Sequence, residues 1–143
     1  DLHRRRHSFP TRRSSDLNAN DTVSSQELIF GDNDSLSARI AVLLKADRLI
    51  ILSDVEGLYD KDPNIHKDAK LIQEITNIST DIKSMASDTS SSSGMGGMRS
   101  KIEAVQICVN NKIPVDILSV TKVSKVPELV IKQLRNLGTH FLV

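Results

Sequence analysis

The apolar residues of the chain recur at two spacings, and these spacings separate helices from strands. Apolar positions three or four residues apart, such as Ile102, Val105 and Val109, form one face of an α-helix. This pattern predicts helices over residues 35–46, 98–111 and 126–137, with one or two further turns of helix at 81–86. We expect Gly138 to stop the last of them.

Short apolar runs between these helices predict strands. Residues 49–52 are all apolar and are bounded by charge and by Ser53 and Asp54, which is typical of a buried parallel strand. The remaining predicted strands are 71–75, 113–118 and a closing strand within 139–143. Alternating strands and helices predict a three-layer α/β fold, with helices on both faces of one sheet.

Composition narrows the class of protein. The chain of 143 residues has 38% hydrophobic and 3% aromatic residues, which predicts a core built from Ile, Leu and Val within one domain or part of one. Its single cysteine, Cys108, lies in a helical apolar pattern and is expected to pack rather than react. The apolar runs are too short to span a membrane, and the four histidines lack metal-ligand spacing. These features predict a soluble protein of a reducing cytoplasm, with no membrane partner and no protein-bound zinc.

The formal net charge of +1 is unevenly distributed. Residues 1–17 carry five arginines against two aspartates, a net of +3, so the remaining residues sum to −2. An arginine-rich start could be a nucleic-acid arm or an organellar targeting peptide, but it lacks a reading helix, an aromatic platform and an amphipathic pattern. We favour a non-native leader resembling translated adapter sequence, and assign residues 18–143 to the domain. Nothing in that part indicates nucleic-acid binding.

A glycine-rich segment, Gly94 to Lys101, runs into the helix predicted at residue 98. Successive backbone N–H groups of such a loop can point at one anion, and the helix N-terminus adds its partial positive charge. Lys101 would lie in the first helical turn, within reach of a transferred phosphoryl group. The spacing is not that of a Walker A motif. A flexible loop followed by an ordinary lysine is the alternative explanation.

A second polar segment comes just before the first helix. Asp32, Asn33 and Asp34 are consecutive, follow Gly31 and lie near Asp21 in the sequence. Helix capping explains one such residue but not three in a row. Carboxylates can bind a substrate ammonium or orient catalytic lysines, and an asparagine can bind a substrate carboxylate.

The polar pair Ser53-Asp54 closes the predicted strand 49–52. Open α/β sheets bind ligands at the carboxyl ends of their strands. The pair is therefore a candidate ligand contact, and a simple strand stop is the alternative.

Three segments taken together, NANDTVSSQELIFGDNDSLSA, LIILSDVEGLYDKDP and SSGMGGMRSKIEAV, resemble the bacterial glutamate 5-kinases of the amino acid kinase family. The resemblance covers nearly all of residues 18–141. It implies the family's α/β/α sandwich around a mainly parallel sheet. It also implies ATP-dependent phosphorylation of the γ-carboxylate of L-glutamate to γ-glutamyl phosphate, the first step of proline biosynthesis, with Mg²⁺ accompanying ATP.

The same resemblance assigns roles to individual residues. Asp21 and Asn33 match substrate-binding positions, and Asp34 matches the aspartate that organises the phosphoryl-transfer centre. Ser53 and Asp54 match nucleotide contacts. The loop over the phosphates comprises Met95, Gly96, Gly97, Met98, Arg99, Ser100 and Lys101, and Lys101 also matches a catalytic lysine.

The chain also departs from the family pattern. Ala19 replaces a usual glutamate, and Met95 replaces a usual threonine. The family's amino-terminal half, with its own phosphate-binding lysine, is missing, so we expect this chain to be inactive alone and the full-length enzyme to be a homo-oligomer. Two other functions remain open, namely another amino acid kinase of the same fold and a non-catalytic nucleotide-binding fragment.

Overall fold

The computed structural model describes residues 33–88 and 97–143. Within these ranges the helices are α1 (Asn33–Leu43), α2 (Thr80–Asp88), α3 (Met98–Asn110) and α4 (Val126–Lys132), with a 3₁₀ helix at Val120–Lys125 before α4. The strands are β1 (Leu49–Ser53), β2 (Glu74–Ile75), β3 (Val115–Ser119) and β4 (Thr139–Phe141). Each predicted helix and strand has a counterpart, so the predicted α/β class is confirmed.

The four strands form one mixed sheet in the order β1-β3-β4-β2. β1 is parallel to β3, and β2 is parallel to β4, whereas β3 and β4 are antiparallel. Two of the three strand pairings are therefore parallel. β3 and β4 occupy the centre, and every residue of both strands is buried.

The main core lies between one face of this sheet and helices α1 and α3. Ile51, Val115 and Ile117 from the strands pack there with apolar residues of the two helices. Since strand side chains alternate between faces, Leu118 points to the opposite side of the sheet. Leu118 and Leu129 of α4 are both fully buried but lie outside that core cluster, which indicates helical cover on the second face.

Both long helices end in a left-handed residue that is not glycine. Lys45 has a φ of 50° after α1, and Lys112 has a φ of 62° after α3. In each case the residue that follows it, Ala46 or Ile113, donates its N–H back to a carbonyl five residues earlier. This Schellman-type ending satisfies the last carbonyls and turns the chain towards the following strand.

The last predicted helix is shorter than the sequence pattern indicated. Instead of covering 126–137, α4 ends at Lys132, and Gln133 takes a left-handed conformation with a φ of 51°. Gly138, with a φ of 76°, then leads into β4. The chain must reverse within this short stretch to place β4 between β2 and β3, and that pairing overrides the local helical pattern.

The strand predicted at 71–75 is also reduced. Only Glu74–Ile75 pairs with β4, while Leu71 forms an isolated bridge with Tyr59. In the part of the chain that the structure describes, no helix combines the length and apolar character needed to cross a membrane.

Candidate active site

The beginnings of α1 and α3 lie at the same edge of the sheet. Each of these helices is followed directly by a strand, β1 or β3, which are parallel neighbours. A helix that packs back along the strand after it begins near that strand's carboxyl end. The first residues of α1 and α3 are therefore brought to the edge where β1 ends at Ser53 and β3 ends at Ser119. This is the edge at which parallel α/β sheets bind ligands.

An ion pair joins the two helix starts. Lys101 Nζ lies 3.1 Å from Asp34 Oδ2, and the two side chains are only 12% and 15% exposed. Ser100 Oγ donates to the same carboxylate oxygen at 3.1 Å. The carboxylate of Asp34 thus reaches across to α3, which a simple helix cap would not do. It fixes the ammonium of Lys101 in the first turn of the neighbouring helix.

The N-terminus of α3 is suited to an anion. Gly97 is its N-cap and has no side chain to occupy the terminal N–H groups, and the first turn carries no acidic residue. A β-carbon added at Gly97 would meet no atom of residues 33–88 or 99–143 within 4 Å. Arg99 and Lys101 lie in the same turn. The backbone N–H groups of a helix N-terminus and two cationic side chains form a donor set that fits the phosphates of a nucleotide.

Ser53 and Asp54 form a small turn at the carboxyl end of β1. Ser53 is buried, and its hydroxyl donates to Asp54 Oδ1 at 3.1 Å and accepts from the N–H of Val55 at 3.4 Å. Asp54 itself is exposed. The hydroxyl of Ser53 thus holds the carboxylate of Asp54 at the rim of this edge.

The neighbouring Ser119 was not among the sequence candidates. It pairs with Ser53 in the β1–β3 register and is also buried. Its hydroxyl accepts from the N–H of Thr121 at 3.3 Å and so caps the 3₁₀ helix. The same rule that selected Ser53, a polar residue closing an apolar strand, would have identified it.

A sequence profile of the amino acid kinase family matches residues 17–119, which is most of the chain. The chain belongs to the amino acid kinase family. This membership agrees with the resemblance found in the sequence motifs.

Two curated relatives are named glutamate 5-kinase. The chain is 48% identical over 98 residues to a glutamate 5-kinase of Carboxydothermus hydrogenoformans, covering 68% of this chain and 26% of the relative. It is 42% identical over 129 residues to a glutamate 5-kinase of a Thermoanaerobacter species, covering 88% of this chain and 33% of that relative. The chain thus spans about a quarter to a third of the length of the relatives it matches.

Solved structures of the family share the fold. The E. coli aspartokinase III in complex with aspartate and ADP superimposes with a TM-score of 0.51 and 30% identity, over 78% of this chain and 20% of that protein. The amino acid kinase-like α/β fold is confirmed by this similarity, and the chain corresponds to about a fifth of that protein.

Several predicted site residues of this amino acid kinase segment can be located, and others cannot. Asn33 is the first residue of α1 and is exposed, next to Asp34. Met98 is buried in the core, whereas Arg99 is exposed and pairs with Glu103 at 3.2 Å. The predictions for Asp21, Met95 and Gly96 fall outside the residues that the structure describes.

Proposed function

We propose that this chain supplies the nucleotide-binding part of an enzyme that transfers the γ-phosphoryl group of ATP to the γ-carboxylate of L-glutamate. The observation that carries the proposal is the ion pair of Lys101 with Asp34, nearly buried at the first turn of α3. A lysine so placed presents its charge where phosphates would meet the helix N-terminus.

The protein forms no covalent bond with the substrates in this reaction. A carboxylate oxygen of glutamate attacks the γ-phosphorus, the bond from that phosphorus to the β–γ bridging oxygen breaks, and ADP leaves with the bonding electrons. Positioning and charge stabilisation therefore supply most of the catalysis. Lys101 would neutralise charge on the transferred group, and Asp34 would hold its ammonium in place.

The phosphates would approach the backbone of Gly97 and the amides of the first turn of α3. Mg²⁺ would be carried largely by the phosphate oxygens, because this ion keeps several waters and takes few protein ligands. Residues 33–88 and 97–143 contain no group of three His, Cys, Asp or Glu side chains that could hold a metal.

The choice of glutamate as acceptor is supported by the names of the curated relatives, at 48% and 42% identity. On this proposal Asn33 and Asp21 contribute to the glutamate site, Ser53 and Asp54 contact the nucleotide, and the product enters proline biosynthesis. The test must distinguish this function from two alternatives, namely another amino acid kinase of the same fold and a non-catalytic nucleotide-binding role.

A chimaera tests the proposal directly. The segment of this chain that matches the Carboxydothermus hydrogenoformans glutamate 5-kinase replaces the corresponding segment of that protein. We expect glutamate-dependent release of ADP, and trapping of the acyl phosphate by hydroxylamine. Lys101→Ala should lower kcat by roughly a hundredfold or more, because its charge acts in the transition state. Lys67→Ala, at an exposed loop lysine, is the matched control and should leave kcat unchanged.

Each alternative has its own result. A folded chimaera that phosphorylates aspartate or acetylglutamate instead of glutamate would identify a sister kinase. One that melts cooperatively and binds ATP without turnover would indicate a non-catalytic role. An equal loss of kcat in the Lys101→Ala and Lys67→Ala variants would show that Lys101 has no specific role in the mechanism.

A further inference from the structure

The hydroxyl of Ser100 has two acceptors within hydrogen-bond distance. Its Oγ lies 2.9 Å from the carbonyl oxygen of Gly97, three residues earlier, and 3.1 Å from Asp34 Oδ2. The first contact is ordinary, because a serine in a helix commonly turns its hydroxyl back to a carbonyl of the preceding turn. Ser37 and Ser84 do so at 2.8 Å each. The second contact is not local, since Asp34 is 66 positions away on another helix.

Two donors from consecutive residues of α3 meet at one oxygen of Asp34. Lys101 Nζ lies 3.1 Å from Oδ2, the same atom that Ser100 Oγ reaches at 3.1 Å. An ammonium on a flexible stem acts as a point charge and does not by itself orient a carboxylate. The serine hydroxyl sits on a short side chain with one rotatable bond, and its hydrogen bond to an ionised acceptor is directional and strong. Ser100 thus selects which oxygen of Asp34 faces Lys101.

Both donors of Ser100 are already engaged within the protein. Its hydroxyl proton lies between Asp34 Oδ2 and the carbonyl of Gly97, and its backbone N–H donates to that same carbonyl at 3.1 Å. Phosphate oxygens accept hydrogen bonds, and the remaining lone pairs of a serine hydroxyl can only accept as well. The side chain of Ser100 is therefore poorly suited to the nucleotide contact that the sequence resemblance gives it.

We propose that Ser100 is a positioning residue of the phosphoryl-transfer site: its hydroxyl holds the carboxylate of Asp34 in the orientation that fixes Lys101, and it does not bind the nucleotide. This role rests on the proposed function. The hydroxyl of Ser100 keeps its proton, and no group is transferred to it. Without this hydroxyl Asp34 and Lys101 would still meet, but with a less defined geometry. The loss of kcat should therefore be smaller than the loss caused by removing Lys101.

Kinetics of the chimaera with the Carboxydothermus hydrogenoformans protein test this role in turnover. Ser100→Ala should lower kcat roughly tenfold, because a hydrogen bond to a charged group is lost beside the catalytic lysine. The KM values for ATP and glutamate should stay within about twofold, since no substrate contact is removed. Ser100→Thr keeps a hydroxyl and should keep kcat within about threefold. Ser84→Ala removes a hydroxyl that donates to the carbonyl of Asp81, and this matched control should leave kcat unchanged.

A double-mutant cycle in the intact 143-residue chain tests the contact without turnover. The unfolding equilibrium constant in urea is measured for the chain, for Ser100→Ala, for Asp34→Ala and for the double variant. Ser100→Ala should raise this constant at least about threefold more when Asp34 is present than when it is absent. The control cycle on Ser84→Ala and Asp34→Ala should be additive within about twofold, because Ser84 bonds to Asp81 instead. Asp34→Asn takes the place of Asp34→Ala if the alanine variant does not fold.

The two measurements separate this positioning role from the proposed function. A chimaera that folds but transfers no phosphoryl group to glutamate would refute the proposed function, while the cycle in the intact chain would still decide whether Ser100 holds Asp34. The positioning role is overturned if that cycle shows no more coupling than its control. It is also overturned if Ser100→Ala raises the KM for ATP at unchanged kcat, which would identify a nucleotide contact. An equal loss of kcat in Ser100→Thr and Ser100→Ala would overturn it as well, because the hydroxyl would then not matter.

Discussion

Replacing Asp34 with asparagine removes the charge that holds Lys101 but keeps an oxygen that can accept its hydrogen bond. The side chain of Lys101 is only 12% exposed, so its ammonium would lose the charge of Asp34 while the side chain stays largely out of water. We expect Asp34→Asn to destabilise the chain and to loosen the first turn of α3. Lys101→Met should have a similar effect by leaving the carboxylate of Asp34 without its cation.

The size of the effect follows from the burial of the pair. Two unit charges about 3 Å apart attract by roughly 5 kcal/mol at an effective dielectric constant of about 20, but removing both from water offsets most of this gain. Exposed pairs contribute about 0–1 kcal/mol, and removing one partner of a fully buried pair costs about 3–5 kcal/mol. For a pair that is 12% and 15% exposed, we expect a coupling energy of about 1–2 kcal/mol.

A double-mutant cycle measures this coupling by urea unfolding of the chain, the two single variants and the double variant. The matched control is the cycle on Lys125 and Glu128, a pair 3.4 Å apart whose side chains are 53% and 41% exposed. Its coupling should stay below about 0.5 kcal/mol. If the Asp34–Lys101 coupling is no larger than this control, the ion pair does not persist in solution and the positioning argument for Lys101 fails.

Two further predictions concern the scaffold. Gly138→Ala should lower the free energy of unfolding in urea by more than about 2 kcal/mol, since its φ is 76° and the new β-carbon would lie 2.1 Å from the carbonyl oxygen of Ile117. Gly97→Ala, whose β-carbon would meet no described residue beyond its chain neighbours within 4 Å, should cost less than about 1 kcal/mol, and similar costs for the two variants would refute this. Burial raises the pKa of Cys108 from 9.0 to about 11, so its stabilising contribution is complete below pH 9 and is lost as the pH rises towards 11. Between about pH 8 and 10.5 the free energy of unfolding of the chain should therefore fall by roughly 2 kcal/mol more than that of Cys108→Ala. An equal fall in the two proteins would contradict this.

Local patterns predicted the helices and strands where burial and spacing agree. The apolar stripe of residues 98–111 gave α3 to within one residue, because Ile102, Val105 and Cys108 all face the core. The apolar pattern of residues 126–137 predicted a helix longer than α4, in which only Leu129 is fully buried. Ile131 is 80% exposed in the same helix. The local sequence does not show that β4 must pair between β3 and β2, and this pairing determines where α4 ends.

The candidate site was predictable in residue type but not in geometry. Asp34 and Lys101 are 67 positions apart, and no local pattern indicates that their side chains meet. Parallel β1 and β3 bring the two helix starts together, so the contact is a consequence of topology. His140 was set aside for want of metal-ligand spacing, although its partner, Asp116, is the one charged residue in the predicted strand 113–118. A lone carboxylate in an apolar strand is a signal that a partner must exist.

The antiparallel strand β4 explains how that carboxylate is accommodated. A carboxylate in a central, fully buried strand is tolerated only when its charge and its lone pairs are satisfied. In an antiparallel pairing, directly opposed residues share one face, which places His140 against Asp116 and leaves Phe141 on the core side opposite Val115. Arg48, in the turn before β1, reaches the second oxygen of Asp116 from the neighbouring strand. The pairing of β3 with β4 therefore places the polar cluster on the second face of the described sheet and leaves the apolar core on the first.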